Sequence, residues 1–287
     1  MTTRSPLPGI VLPVLILAAL ALGSLPACAD APAQLLDLRT SRQIALADAL
    51  PVLAGADLVL VGESHGDTRH HAAQLAVIRG LHEAGDAVCV GLEMFQRREQ
   101  PVLDRWIAGG MSEEEMREAF LRNWGVEWPA YRDVFLYCRD RGIPMAGLNV
   151  PREITRKVAR QGFAALTPEE IGLLPPIACS VDPDYEAFLR GFTGSDGHQG
   201  AFERFCEAQL VWDAGMAAHA LDFLRPHPGT TMVVMTGSVH AWKPAMPDQI
   251  RRLAPQAVTV SILPEIGAQG KSAEVTPADA DYLLPGM

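Results

Sequence analysis

Four short, unbroken apolar runs of four or five residues punctuate the chain, Leu58 to Val61, Val88 to Leu92, Pro144 to Leu148 and Met232 to Met235, and Val258 to Leu263, interrupted by Thr259 and Ser261, reads as a fifth. Runs of this length without polar alternation suit strands buried on both faces. Between them, apolar residues recur at helical spacing over 71–84, 97–108, 112–121, 130–141, 153–161 and 247–253. That alternation predicts an α/β fold, a mostly parallel central sheet flanked by helices. The interval 167–228 breaks the rhythm. It holds no strand-like run but has helical patterns over 182–190 and 201–225, joined by a Gly, Ser, Asp and His198 loop over 191–200. It reads as a helical insertion or lid.

The polar residues that close these runs carry the chemistry. Gly62-Glu63-Ser64-His65 follows the first run, Glu93 the second, Asn149 the third and Gly237-Ser238-Val239-His240 the fourth. Ligands of open parallel sheets bind outside the carboxyl ends of the strands, so these residues are expected to share one crevice. A carboxylate such as Glu93 at the end of a buried strand is costly unless paired, with Arg97 or Arg98 its structural partner or a ligand its functional one. His65, with Asp67, His70 and His71 nearby, could ligate a metal or relay protons. Alternatively Ser64 or Asp67 caps the next helix and the later histidines are surface residues. Asn149 could hold the turn before Pro151 instead of touching a ligand. Trp242 and Lys243 stand beside His240, and together the three suit an anionic planar ligand. Phe202, Phe205, Trp212, Met216 and Phe223 form a core stripe on the long helical pattern. Gln209 and Asp213, four apart, either reach the crevice or bond each other.

The first 29 residues read as an export signal: Arg4, an apolar run from Ile10 to Leu25, then small residues. Leu25-Pro26-Ala27-Cys28 approximates a lipobox with Cys28 acylated, while Ala27-Cys28-Ala29 approximates an ordinary cleavage site, giving a mature chain that starts at Cys28 or Asp30. Residues 30–287 then form one α/β domain that includes the insertion. The net charge is -10, or -11 once Arg4 is lost, which argues against a nucleic-acid partner. Cys89, Cys138, Cys179 and Cys206 form no Cys-x-x-Cys pair, so neither a zinc ribbon nor a thioredoxin motif is present. Cys179 with Cys206 is the disulfide pair to test in an oxidising compartment.

Gly62-Glu63-Ser64-His65, Gly91-Leu92-Glu93-Met94-Phe95, Gln100-Pro101-Val102-Leu103-Asp104, Leu148-Asn149-Val150-Pro151-Arg152-Glu153 and Ala208-Gln209-Leu210-Val211-Trp212-Asp213 occur in that order. Together they resemble the ChaN family, the haem-binding lipoprotein branch of the Tiki and erythromycin-esterase-like proteins. The resemblance implies an α/β core with a helical insertion and export to the periplasm or an outer-membrane anchor. It also implies haem binding tied to homodimerisation and iron uptake, with an outer-membrane haem receptor as a candidate partner. In the family's haem mode a tyrosine oxygen binds iron, and a histidine and a lysine from the partner subunit meet the propionates.

The mature chain offers Tyr131, Tyr137, Tyr185 and Tyr282. Tyr185, in the insertion, is preferred to Tyr131 as iron ligand, and His65 is a second candidate. Glu63, Glu93, Asn149, Gln209, Asp213, His240 and Lys243 complete the expected haem-contact set. Val239 stands where the resemblance leads one to expect a small residue. The wider superfamily supplies a competing reading, a metal-dependent esterase or peptidase in which Glu63, His65, Glu93 and His240 activate water with a divalent metal. A third, a plain scaffold, leaves the buried Glu and His residues unexplained.

Overall fold

The computed structural model describes residues 34–125, 128–193, 199–265 and 275–285. The expected signal, the Cys28 lipobox and His198 lie outside the described residues. Eight strands form one sheet: β1 (Gln34–Asp37), β2 (Arg42–Ala45), β3 (Leu58–Glu63), β4 (Val88–Gln96), β5 (Met145–Asn149), β6 (Thr231–Gly237), β7 (Thr259–Pro264) and β8 (Tyr282–Leu284). Their order is β2-β1-β8-β7-β3-β6-β4-β5. The pairings from β8 through β5 are parallel, and β1 joins β8 and β2 antiparallel. The helices are α1 (Leu46–Ala54), α2 (Thr68–Ala84), α3 (Gln100–Ile107), α4 (Glu113–Asn123), α5 (Trp128–Arg141), α6 (Arg152–Gln161), α7 (Pro168–Ile171), α8 (Pro183–Thr193), α9 (Gln199–Leu224), α10 (Ser238–Ala241) and α11 (Met246–Leu253). A 3₁₀ turn, Arg97–Glu99, links β4 to α3.

Successive residues of a strand point to opposite faces, and the two cores follow that parity. Val59, Val61, Val90, Leu92, Val233 and Met235 pack with α1 to α5, whereas Leu58, Leu60, Cys89, Met232 and Val234 pack with α9 to α11. Both faces are therefore covered, which is why β3, β4, β5 and β6 read as continuous apolar runs. Within the interval that lacked strand signals, α9 lies over β5: Val150 meets Ala208 and Val211, and the His219 ring bonds the Leu148 carbonyl at 2.7 Å. Tyr185 and Leu189 of α8 pack on Phe202, Cys206 and Leu210 of α9. Helix ends obey local chemistry. Asp67 caps α2 by accepting from the Arg69 amide, Gly85 ends that helix at φ 96°, and Ser112 with Glu115 forms a capping box on α4.

Candidate functional site

The chain leaves β3 for β4, returns to place β6 between them, then lays β7 on the other side of β3. The carboxyl ends of β3, β6 and β4 thus lie side by side, where an α/β sheet of this kind holds its ligands. Glu63, His65, Glu93 and His240 meet there, but from the two faces of the sheet.

Glu63 follows the parity of Val59 and Val61 and turns to the α2 and α5 side. One of its oxygens accepts from His65 Nδ1 at 2.6 Å and from the Tyr131 hydroxyl. The other accepts from Gln74 Nε2 at 2.8 Å and lies 3.4 Å from His71 Nε2. Burial alone would raise the Glu63 pKa, but the hydrogen bonds from His65, His71 and Tyr131 and the charge of His71 outweigh it and hold the carboxyl at about 2. Burial and the Glu63 charge push the Tyr131 phenol up, so it remains a protonated donor.

His65 is the solvent-facing member of this cluster, its side chain 46% exposed. Its Nδ1 is fixed by Glu63, and its ring meets Trp124 edge-on at 4.9 Å. A Cβ at Gly237 would lie 3.1 Å from His65 Cε1, 3.3 Å from Nε2 and 3.7 Å from Glu93 Oε2. Glycine at 237 therefore leaves room beside the ring edge that bears Nε2. Partial burial opposes protonation of His65, yet the Glu63 hydrogen bond and the Glu93 charge raise its pKa.

On the α9 face, Glu93 Oε2 accepts from Thr236 Oγ1 at 2.6 Å and from the Gly237 amide at 2.7 Å. Its other oxygen lies 3.8 Å from His240 Nε2. His240 Nδ1 pairs with Asp213 Oδ1 at 2.7 Å, and Asp213 Oδ2 accepts the Tyr185 hydroxyl at 2.5 Å. Burial would lower the His240 pKa, but the charges of Asp213 and Glu93 lift it to about 9. Tyr185 is almost fully buried, and burial with the Asp213 charge pushes its phenol far up. The site is thus two Tyr–carboxylate–His chains, Tyr131–Glu63–His65 and Tyr185–Asp213–His240, with Glu93 between the imidazoles.

The remaining expected residues fall around this pair of chains. Asn149 donates to the Glu93 carbonyl at 2.8 Å, leaving its Oδ1 buried without a protein partner, and Gln209 Oε1 is orphaned in the same way. Such groups await a ligand donor or water. Lys243 does not join them: its ammonium pairs with Asp281 at 2.8 Å and donates to the Pro277 carbonyl at 2.8 Å. Arg98 pairs with Glu153, not Glu93. His70 accepts from the Ser64 amide, whereas His71, which the sequence leaves between surface and site, is buried against Glu63. Cys179 and Cys206 are free thiols, as are Cys89 and Cys138. Among the described residues, no group of three or more His, Cys, Asp or Glu side chains is arranged to hold a metal ion. A cavity of about 520 Å³ lies elsewhere, at the amino-terminal end of the strands beside Asp57, Leu221 and Arg225.

Gln74, Thr236 and Trp124 are site residues that the sequence did not single out, and Tyr131, weighed there only as the second choice of iron ligand, joins them as a donor to Glu63. The signal for Tyr131 was only that a buried phenol needs a hydrogen-bond partner.

Residues 49–250 match the family described as haem-binding uptake, Tiki superfamily, ChaN. The chain belongs to the ChaN family. Among solved structures, one described as cofacial haem binding to ChaN of Campylobacter jejuni matches this ChaN-family chain with a TM-score of 0.68 and 19% identity, covering 87% of this chain and 95% of that one. The type III effector HopBA1 matches with a TM-score of 0.50 and 13% identity over 82% of this chain and 89% of that one. An erythromycin esterase, EreC, in its open conformation reaches 0.48 and 14% identity over 76% and 72%. At 19% and 13% identity, the first two likenesses speak for the fold alone. No curated protein matches the chain.

Proposed function

We propose that this ChaN-family chain is an exported haem-binding protein of the cell envelope, serving haem or iron uptake, and that haem sits at the carboxyl edge of β3, β6 and β4. The observation that carries the reading is His65, a half-exposed imidazole whose Nδ1 is tied to a buried carboxylate while its Nε2 has no protein hydrogen-bond partner among the described residues. A carboxylate on one ring nitrogen fixes the orientation and tautomer of a metal-ligating histidine and raises its basicity. Such an imidazole would hold haem iron. Trp124 offers an aromatic edge beside it, and the room at Gly237 keeps the ring edge clear. The orphaned Asn149 and Gln209 oxygens fit bound water or a ligand that brings its own hydrogen-bond donors. When bound, haem would supply the iron; the chain's residues orient His65 and hold its proton on Nδ1.

Tyr185 is the second reading, in line with the tyrosine ligation that the family resemblance implies. In this structure its hydroxyl is buried on Asp213, and ligation would require it to give up that bond and its proton, for which the Asp213–His240 pair is the nearby acceptor. His65 needs neither change. The hydrolase alternative is disfavoured by the same geometry. Both Glu63 oxygens and one of Glu93 are engaged by donors, and a carboxylate held at about 2 is a weak general base.

The pattern of residues 1–29 supports export, with either an acylated Cys28 or an ordinary cleavage that leaves Asp30 first. No helix among the described residues is long and apolar enough to cross a membrane. We infer a homodimer in the haem-bound state. Titrating the purified protein with haem while following its absorption and oligomeric mass tests the reading: saturable binding with a rise in mass supports it. No binding at micromolar haem, with ester or peptide cleavage lost in Glu63→Gln, would overturn it.

A further inference from the structure

We propose that the outer face of α6, with the exposed apolar end of α7 beside it, is a peripheral docking surface for an anionic phospholipid bilayer. It lies apart from the strand-end site and shares with the haem reading only the envelope location. α6 buries Ile154, Thr155 and Val158, and Ile154 and Val158 pack with Ala208 and Val211 of α9. Arg152, Arg156 and Arg160 recur every four residues on the opposite side, which makes them one outward stripe at helical spacing. Arg156 and Arg160 are exposed and Arg152 is half-buried. Arg204 of α9 reaches the end of this stripe: a Cβ at Gly162, the residue that closes α6, would lie 3.8 Å from Arg204 Cγ.

Among the described residues, no carboxylate pairs with these four guanidiniums, and the buried Nε of Arg204 has no acceptor. The acids nearby are engaged elsewhere. Glu153 is held by Arg98 at 2.9 Å, Glu170 by Lys157 at 2.6 Å and Glu207 by the Phe163 amide at 2.9 Å. Glu169 and Glu203 remain exposed against the four cations. Burial and the charge of Arg156 lower the Arg152 pKa, as expected where cations gather without an anion between them. The chain as a whole has a net charge of -10, and Arg117, Arg132, Arg190 and Arg252 each sit on a carboxylate, so the excess of positive charge is local to this flank.

Apolar side chains beside the stripe favour lipid over an acidic protein as the partner. The Lys157–Glu170 pair fastens α7 to α6, and Leu166 and Leu174, on either side of α7, pack with Ile154 and Val158. Ile171 and Leu173 are thereby held next to the arginines, yet they stay 45% and 56% exposed. Cations around projecting aliphatic residues suit an anionic bilayer, where guanidiniums meet phosphates and apolar side chains enter the boundary of the acyl region. Since no helix among the described residues is long and apolar enough to cross a membrane, the contact they make is with its surface.

The test uses the mature chain from Asp30, which carries neither the signal nor an acyl chain, with vesicles of phosphatidylcholine alone or mixed with phosphatidylglycerol. Cosedimentation at low salt should show binding about ten- to hundredfold tighter to the mixed vesicles, and high salt should abolish the difference. Arg152→Gln with Arg156→Gln and Arg160→Gln should remove the preference, and the three Lys replacements should retain most of it. Arg117→Gln with Arg225→Gln and Arg251→Gln, the same change in net charge elsewhere, should keep it. Leu173→Gln should weaken binding to the mixed vesicles severalfold, and unaltered thermal transitions show that the variants fold. Equal binding to both kinds of vesicle, or a triple Gln variant of α6 that keeps the preference, overturns the proposal. Binding to soluble polyglutamate with none to vesicles also overturns it, and makes the partner an acidic protein. None of these outcomes involves haem, so the haem reading stands or falls separately.

Discussion

Replacing Glu63 by Gln keeps the size of the side chain but removes the charge on which one of the two chains is built. The carboxylate accepts from His65, Tyr131 and Gln74 and faces His71. An amide has one oxygen and a donating NH₂ group, so at least one of these donors would face another donor. Rotating the Gln74 amide to receive it would break the bond from Gln74 to the Val61 carbonyl, 3.0 Å long. The folded-state pKa of about 2 against the ordinary 4.5 corresponds to about 3 kcal/mol of stability from ionisation. The sign follows from a depressed pKa: the contribution is complete above pH 4.5 and is lost as the pH falls towards 2. Urea unfolding of the haem-free protein and of Glu63→Gln between pH 2 and 7 reads it directly. The gap between the two should be widest near neutrality and close towards pH 2. A gap of constant size across that range would show that the charge of Glu63 is not what the network uses.

Other outcomes follow from the same contacts. Tyr185→Phe removes the donor to buried Asp213 and should cost about 1–3 kcal/mol in denaturant unfolding, while leaving the haem spectrum intact if His65 holds the iron. Gly147→Ala places a Cβ 2.6 Å from the Gln96 carbonyl oxygen, so the backbone of β4 must shift. A loss of about 1–3 kcal/mol is expected, against almost none for Gly66→Ala, which meets nothing within 4 Å. His240, raised to about 9 from 6.5, contributes stability that is complete below pH 6.5 and lost as the pH rises through 9. Asp213→Asn should lower the imidazole titration seen by NMR.

Much of the site is legible in the sequence for a physical reason. β3, β4, β5 and β6 are buried on both faces, so the polar residue that closes each apolar run stands out against it. Gln209 and Asp213 are legible as a helical pair, although their partners are not each other: Asp213 holds His240 and Tyr185. Strands β1, β2 and β8 are three or four residues long and sit at one side of the sheet, too short to write a pattern. Glu93 reads as the residue after its strand, yet β4 continues to Gln96 through a shift in register. Tyr131 reaches Glu63 across 68 positions, a contact that no spacing announces. Lys243 shows the opposite error. Nearness to His240 in sequence suggests a shared site, but the chain turns after the four residues of α10 and carries the lysine to Asp281 beside β8.

The central claim is that His65 holds haem iron at this edge, and the ferric absorption and EPR spectra of His65→Gly, with and without added imidazole, test it most directly. The wild-type spectrum should be lost in the variant and return when imidazole fills the vacated position, with the thermal transition unchanged. A His65→Gly spectrum identical to the wild type, together with one abolished in Tyr185→Phe, would contradict it and place the iron on the tyrosine.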